Sequence, residues 1–462
     1  MKGFDPKAFK KGKLAGVMGL GKSGQSVARL LRKKGWKVLG SDARPKAELA
    51  SALGALGKKI QWEWSGHSER LLKCAFVVKS PGLKPDLPIF EKLKAKGVPV
   101  FSELEIALAF SPAKAVVAIT GTNGKSTTTQ LTYQIFKAGL PRGRKAILGG
   151  NIGIPLSTSA PASKKTDVIV VECSSYQLED SAHFEPRAAA ILNLTADHID
   201  HHGTMAAYIE AKAKVFREQG PGDACVFNID DPAVYKLSRE CPSERLYFGT
   251  PGPQTHAWEE KGKLHFRMPG AKKDVVLVPP KLPGRHNIDN ALAAGLLALA
   301  RGIKPAAIQK ALKAFKGVEH RIEPCGAVRG IACVNDSKAT NVDSTMVALK
   351  AYEPAGKRVL LVLGGLHKGS PYTPLKPLIE KTVKGILTIG AAARRIEEDL
   401  SGLVPILPCS DLATAVDTAV RIGEKGDTLL LSPACASFDQ FKDFEDRGRQ
   451  FKALVAAAAK AK

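Results

Sequence analysis

AITGTNGKSTTT, residues Ala118 to Thr129, is the stretch on which the reading of this chain turns. The apolar run AVVAIT leads into it, and TTTQLTYQIFKAG continues with helical spacing. Strand, glycine loop and helix in that order turn backbone N–H groups towards phosphate oxygens. The common phosphate-loop pattern, G-x-x-x-x-G-K-[ST], asks for glycine at position 119. This chain has Ile119 there, and Gly121 stands closer to Gly124. The shorter loop keeps every group the chemistry needs. Gly121, Thr122, Asn123 and Gly124 supply backbone amides, Lys125 a cation for the β and γ phosphates, and Ser126, followed by Thr127, a hydroxyl for Mg²⁺. A nucleotide triphosphate site is therefore expected here.

The same alternation extends in both directions. Upstream, LAGVMGLG, SVARLLRKKG, WKVLGSD and CAFVVKSPG read as strand, helix, strand and strand, the pattern of a doubly wound parallel sheet. AFSPAKA, with Pro112, reads as a linker. Downstream, DVIVVECSS and AAAILNL continue the central α/β unit up to FKGVEHR. A third unit opens at ACVNDSKATN and runs through RVLLVLGG, GILTIG and DTLLLSPACASFDQF to a helical alanine-lysine end. An α/β chain of three domains is expected: a Rossmann-like domain over 1–108, a P-loop-type domain over 109–317 and a second Rossmann-like domain over 318–462.

Composition bounds the function. Length suggests about three domains, and 44% hydrophobic with 24% charged residues fits a globular chain. No apolar run reaches the roughly 18 residues of a membrane span, and no apolar segment of the signal-peptide kind precedes the first strand. The eight cysteines are scattered without a C-x-x-C pair, which argues against a zinc finger or a thioredoxin-like centre. A cytoplasmic chain with reduced thiols, not associated with membranes, is expected. The net charge of +25 raises nucleic-acid binding, yet no basic run is interleaved with aromatics. A lysine-rich surface that attracts small anions is the simpler reading.

Other motifs carry chemistry of their own. GLGKSG places Gly19, Gly21 and Gly24 between a strand and a helix, with Lys22 and Ser23 in the turn and Asp42 after the next strand. That is the dinucleotide fingerprint, and it fits NAD or any other ligand with a diphosphate and a sugar. Ser80 in SPG could line the same crevice. ECSSYQLE puts Glu172 at a strand end, where a carboxylate near a phosphate loop holds Mg²⁺. TADHIDHHG adds Asp197, His198, Asp200, His201 and His202, readable as a Mg²⁺ or phosphate loop or as a transition-metal site. GRHNIDN and EHRIE bring Asn290 and Arg321, and NDSKATN and SPACASFDQF bring polar groups to strand ends of the third unit.

Together GTNGKST, ECSSYQLE, TADHIDHHG, YIEAK, GRHNIDN, EHR, NDSKATN and SPACASFDQFKDFEDRG resemble the Mur ligase family, over nearly the whole chain. NDSKATN with SPACASFDQF is the most specific part and points to the branch that adds D-glutamate. The absence of D-N-P-R, and Asn123 in place of a histidine, point away from the branches that add diaminopimelate or L-alanine.

The resemblance implies a first domain that binds a UDP-linked substrate, a second that binds ATP, and a third that binds the incoming amino acid. The substrates implied are UDP-N-acetylmuramoyl-L-alanine and D-glutamate, joined through an acyl phosphate at the expense of ATP. The GLGKSG crevice then takes a UDP-sugar diphosphate and no NAD. Gly21, Lys22, Ser23, Asp42, Arg44, Ser80 and Asn151 would meet that substrate. Lys125, Glu172, His198 and Lys212 would be catalytic, and Asn290, Arg321 and Asp336 would meet the nucleotide. Two Mg²⁺ ions are implied, held by Ser126, Glu172, His198 and Lys212 as a carbamate. Lys338, Thr340, Lys368, Ser432, Phe438 and Phe441 would frame D-glutamate. A monomer with no nucleic-acid partner is expected. The alternatives from other classes are an NAD-dependent oxidoreductase and a basic nucleic-acid-binding ATPase.

Overall fold

The computed structural model describes residues 5, 8, 9, 12–49, 60–282, 284–367 and 369–460. Lys368 lies outside them, and so does the side chain of Asp200. The chain divides into two compact units, residues 1–280 with 288–315, and residues 281–287 with 316–462.

The first unit holds two sheets. Strands β1 (Leu14–Met18), β2 (Lys37–Ser41), β3 (Gln61–Glu63), β4 (Phe76–Lys79) and β5 (Val100–Ser102) form a parallel sheet of order β3-β2-β1-β4-β5 among the described residues. The order reverses beside β1, between it and β4, so a crevice opens at their C-terminal ends. Gly19 follows β1 there at φ 82°, and Ser80 follows β4.

The second sheet runs β14-β13-β12-β11-β10-β9-β6-β8-β7. Its strands are β6 (Ala115–Thr120), β7 (Ala146–Gly150), β8 (Val168–Glu172), β9 (Ala188–Ile191), β10 (Ala224–Asn228), β11 (Glu244–Phe248), β12 (Ala257–Glu260), β13 (Lys263–Phe266) and β14 (Val275–Leu277). The pairs from β7 to β11 are parallel, and β12-β13-β14 add an antiparallel edge. β6, β8 and β9 are central and buried on both faces, which is why AVVAIT, VIVVE and AAAI read as unbroken apolar runs.

Both sheets belong to one compact unit because buried polar contacts join them. Ser157 donates its N–H to Glu103 Oε1 at 2.6 Å and its hydroxyl to Ser26. Lys79 bridges Glu179 at 2.5 Å and Asp180 at 2.9 Å. The segment read as a linker is pinned: Ser111 and Ala113 both bond Ser163 Oγ.

In the second unit β15 (Glu323–Val328), β16 (Ile331–Asn335), β17 (Val359–Gly364), β18 (Val383–Ile389), β19 (Ile406–Ser410) and β20 (Thr428–Leu431) form a sheet of order β15-β16-β20-β17-β18-β19. All pairs but β15-β16 are parallel. The antiparallel strand β15 precedes the point where the sequence placed the third unit's first strand. The C-terminal alanine-lysine stretch closes helix Phe444–Lys460, whose Phe451 and Val455 are buried.

Candidate active site

The phosphate loop leaves β6 at Gly121, φ 144°, and enters helix Lys125–Gly139 through Gly124, φ 81°. Both angles lie where a side chain is strained. A Cβ on Gly121 would press on Leu192 at 3.1 Å, and one on Gly124 would overlap Asn290 Oδ1. Three adjacent strands bring the site together. Thr120 ends β6, Glu172 ends β8, and Leu192–Asn193 follow β9, all at the C-terminal edge where open α/β sheets bind ligands.

Asn193 grips the loop at two points, accepting from Asn123 N at 2.7 Å and donating to Asn123 O at 3.1 Å. Thr122 Oγ1 shares a 2.8 Å hydrogen bond with Tyr208 and accepts from Thr195 N at 3.1 Å. Asn290, fully helical and buried, accepts from Thr128 Oγ1 at 3.0 Å. Lys125 folds over the loop and donates to the carbonyls of Gly121 and Thr122 at 2.9 and 2.6 Å. Its ammonium therefore sits at the loop's mouth.

Glu172 is buried. Oε1 accepts from Asn151 Nδ2 at 3.0 Å, while Oε2 has no hydrogen-bond partner among the described residues. A buried carboxylate oxygen left unpaired is costly, and a cation satisfies it. Lys212, 1% exposed, donates to Gly121 O at 2.8 Å with its Nζ 4.6 Å from the Tyr208 ring centre. Burial first, and then the Lys125 charge, push its pKa well below the usual lysine value. His198 caps a short helix at φ 57°, with Nε2 3.4 Å from Asp197.

In the N-terminal crevice, Asp42 accepts from Leu20 N at 2.7 Å and is held in a fork by Arg44. Burial opposes its charge, but the Arg44 and Leu20 hydrogen bonds outweigh it and hold its pKa at about 2. Gly21 opens helix Lys22–Lys33 beside Lys22, which is exposed, and Ser23, which is half-buried. Gly19 lies so near Ser80 that a Cβ would come within 2.6 Å of the Ser80 Cβ.

The second unit gathers its own group. Asp336, after β16, accepts from Ser432 Oγ at 2.8 Å and Ile322 N at 3.1 Å. Full burial pushes its pKa up to about 7 against those bonds. Arg447, fully buried, ties Ser337 to the Cys435 carbonyl through 2.9 and 3.1 Å contacts. Lys338 Nζ stands 5.7 Å from the Phe444 ring, Thr340 is half-buried, Phe438 is 69% exposed and Phe441 packs at the edge of the core. Asn290 and Arg321, expected on one nucleotide, belong to different compact units. The sequence reading missed Asn193 and Arg447 and gave Tyr208 no role. Only Tyr208 left a signal, its one-turn spacing from Lys212.

Parallel-rich sheets, a phosphate loop and a buried lysine beside it define a nucleotide-binding α/β protein. The chain belongs to the Mur ligase family: its MurD-like N-terminal domain profile matches residues 13–102, the middle domain 119–298, and the glutamate ligase domain 320–435. It is similar to the UDP-N-acetylmuramoylalanine–D-glutamate ligase of Elusimicrobium minutum, 46% identical over 96% of this chain and 98% of that one. The enzyme of the same name from Myxococcus xanthus is 43% identical over 96% and 97%. The MurF ligase of Thermotoga maritima, solved with ADP, shares the fold at TM-score 0.60 and 15% identity, covering 91% of this chain and 95% of that one. No helix among the described residues is long and apolar enough to cross a membrane.

Proposed function

We propose that this chain adds D-glutamate to UDP-N-acetylmuramoyl-L-alanine, forming an amide bond at the expense of ATP in the cytoplasmic stage of peptidoglycan synthesis. The observation that carries this is the convergence of the phosphate loop and the unpaired Glu172 oxygen at adjacent strand ends, where Lys212, buried in helix Met205–Arg217, reaches the Gly121 carbonyl.

In the first step, a carboxylate oxygen of the L-alanyl group attacks the γ-phosphorus, the bond to ADP breaks, and an acyl phosphate forms. The amine of D-glutamate then attacks that carbonyl carbon, and phosphate leaves as the amide forms. Lys125, at the loop mouth, neutralises charge on the transferring group, and the amides of Gly121–Thr127 cradle it. Asn290, Arg321 and Asp336 orient the nucleotide. Gly21, Lys22, Ser23, Asp42, Arg44, Ser80 and Asn151 hold the UDP-linked substrate. Lys338, Thr340, Lys368, Ser432, Phe438 and Phe441 frame D-glutamate, although Lys368 lies outside the described residues.

The unpaired oxygen of Glu172 fits a hard cation. Ser126 and Glu172 would hold one Mg²⁺, and His198 with carbamylated Lys212 a second. Bound Mg²⁺ neutralises the triphosphate and polarises the phosphorus. A neutral lysine amine is the form that adds CO₂, losing one proton to give the carbamate anion, and burial of Lys212 favours that neutral form. The reading takes the domains as 1–108, 109–317 and 318–462, and the working protein as a cytoplasmic monomer without nucleic-acid partners.

The test is phosphate release from ATP with UDP-N-acetylmuramoyl-L-alanine and, separately, D-glutamate, L-glutamate, L-alanine or meso-diaminopimelate. Release with D-glutamate alone, and a matching product mass, is expected. Release with another amino acid would overturn the substrate and keep the chemistry.

A further inference from the structure

The histidines of TADHIDHHG have different partners. His198 lies beside Asp197, whereas His201 and His202 share Glu179, on the helix Ser175–Glu179. His201 Nε2 lies 2.9 and 3.0 Å from the two oxygens of Glu179, and His202 Nδ1 lies 3.4 Å from Oε2. One donor atom from each of the three residues lies within 4.8 Å of the others. The side chains of Glu179, His201 and His202 are 15%, 6% and 4% exposed. Two imidazoles and a carboxylate, closely converged and shielded, form a borderline donor set. Mg²⁺ prefers oxygen ligands and retains its waters, so this set selects against it.

A second layer of contacts orients the three donors. Ser175 Oγ lies 2.9 Å from His202 Nε2, so a ring protonated there turns the lone pair of Nδ1 towards Glu179. Lys79 takes Glu179 Oε1 at 2.5 Å and Asp180 at 2.9 Å. Tyr176 covers the group, 4.2 Å from the His201 ring and stacked on His202 at 5.6 Å. Lys214 donates to the carbonyl of Glu179. One ammonium, that of Lys79, thus bridges both carboxylates, which moderates the affinity for a dication and makes titration the right measurement.

We propose that Glu179, His201 and His202 form a site for a divalent transition metal of the zinc class. It is separate from the Mg²⁺ ligands and ties the His198 loop to helix Ser175–Glu179.

The test uses the full chain, stripped with a chelator and kept in excess Mg²⁺ to fill oxygen-ligand sites. Co²⁺ is titrated in while its visible d–d absorption is followed. A tetrahedral-type band saturating at about one equivalent, displaced by Zn²⁺ and indifferent to further Mg²⁺, is expected. His201→Gln, His202→Gln and Glu179→Gln should each weaken Co²⁺ binding about tenfold or more. His183→Gln, in the exposed group His183, Glu185 and Glu218, should leave it unchanged. No saturating band, or equal affinity in the His201 and His202 variants, overturns the proposal. Should those variants fail to fold, X-ray absorption of the Zn²⁺-loaded wild type decides. Two imidazoles in the shell support the site, and one or none overturns it.

Discussion

Lys212 Nζ stands 2.8 Å from the carbonyl oxygen of Gly121, so a lysine buried in the core of the first unit ends on the first glycine of the phosphate loop. Burial opposes its positive charge, and Lys125 at the same loop adds like-charge repulsion. Lys212→Ala is expected to lower kcat about 10²- to 10³-fold, the usual cost of removing a group that stabilises transition-state charge. Wild type in bicarbonate-depleted buffer should slow and recover on adding bicarbonate. A steady-state phosphate assay reads both, and an unchanged kcat in Lys212→Ala would end the role given to it.

Asn193 is the loop's clamp, with two hydrogen bonds to Asn123. Each contributes about 1 kcal/mol. Losing both in Asn193→Ala should raise the KM for ATP by up to about 30-fold. The KM for the UDP-linked substrate should stay within about twofold, because both side-chain hydrogen bonds of Asn193 among the described residues go to the loop. Equal rises in both would mean a general loss of structure instead.

Gly24 is packed against the Gly19 carbonyl so closely that any Cβ would overlap its oxygen. Gly24→Ala is expected to destabilise the protein by about 1–3 kcal/mol and to weaken the UDP-linked substrate. Gly21→Ala meets open space and should leave the melting temperature unchanged. Thermal melts of the two variants side by side check this; indistinguishable melts would refute the packing argument.

Asp336 has its pKa pushed up to about 7 by burial, against an ordinary value near 3.8. The folded chain then holds a proton that the unfolded chain has released, so stability falls as pH rises from about 4 to about 7, and levels off above. Asp336→Asn cannot titrate. Its stability relative to wild type should therefore increase across that range. Denaturant melts at several pH values give the slope, and a difference that is flat with pH would show that Asp336 titrates normally.

Much of the fold was legible because it rests on local rules. AVVAIT, VIVVE and AAAI are unbroken apolar runs, the mark of strands buried on both faces. GTNGKST and GLGKSG show glycine where the backbone must turn, and Gly121, Gly124 and Gly19 do have positive φ. Pro112 marks the segment between the first two sheets as a turn, but only the fold shows that Ser163 holds it in place.

The order of chemistry along the chain, and the loops that carry it, were determined by sequence alone, through spacing and residue type. What each polar group meets was decided by the tertiary structure. Asn193 reaches Asn123 across 70 positions, Lys212 reaches Gly121 across 91, and Arg447 reaches Ser337 across 110. Parallel strands place their C-terminal ends side by side however far apart they lie in sequence, and burial then obliges each polar atom to find a partner there.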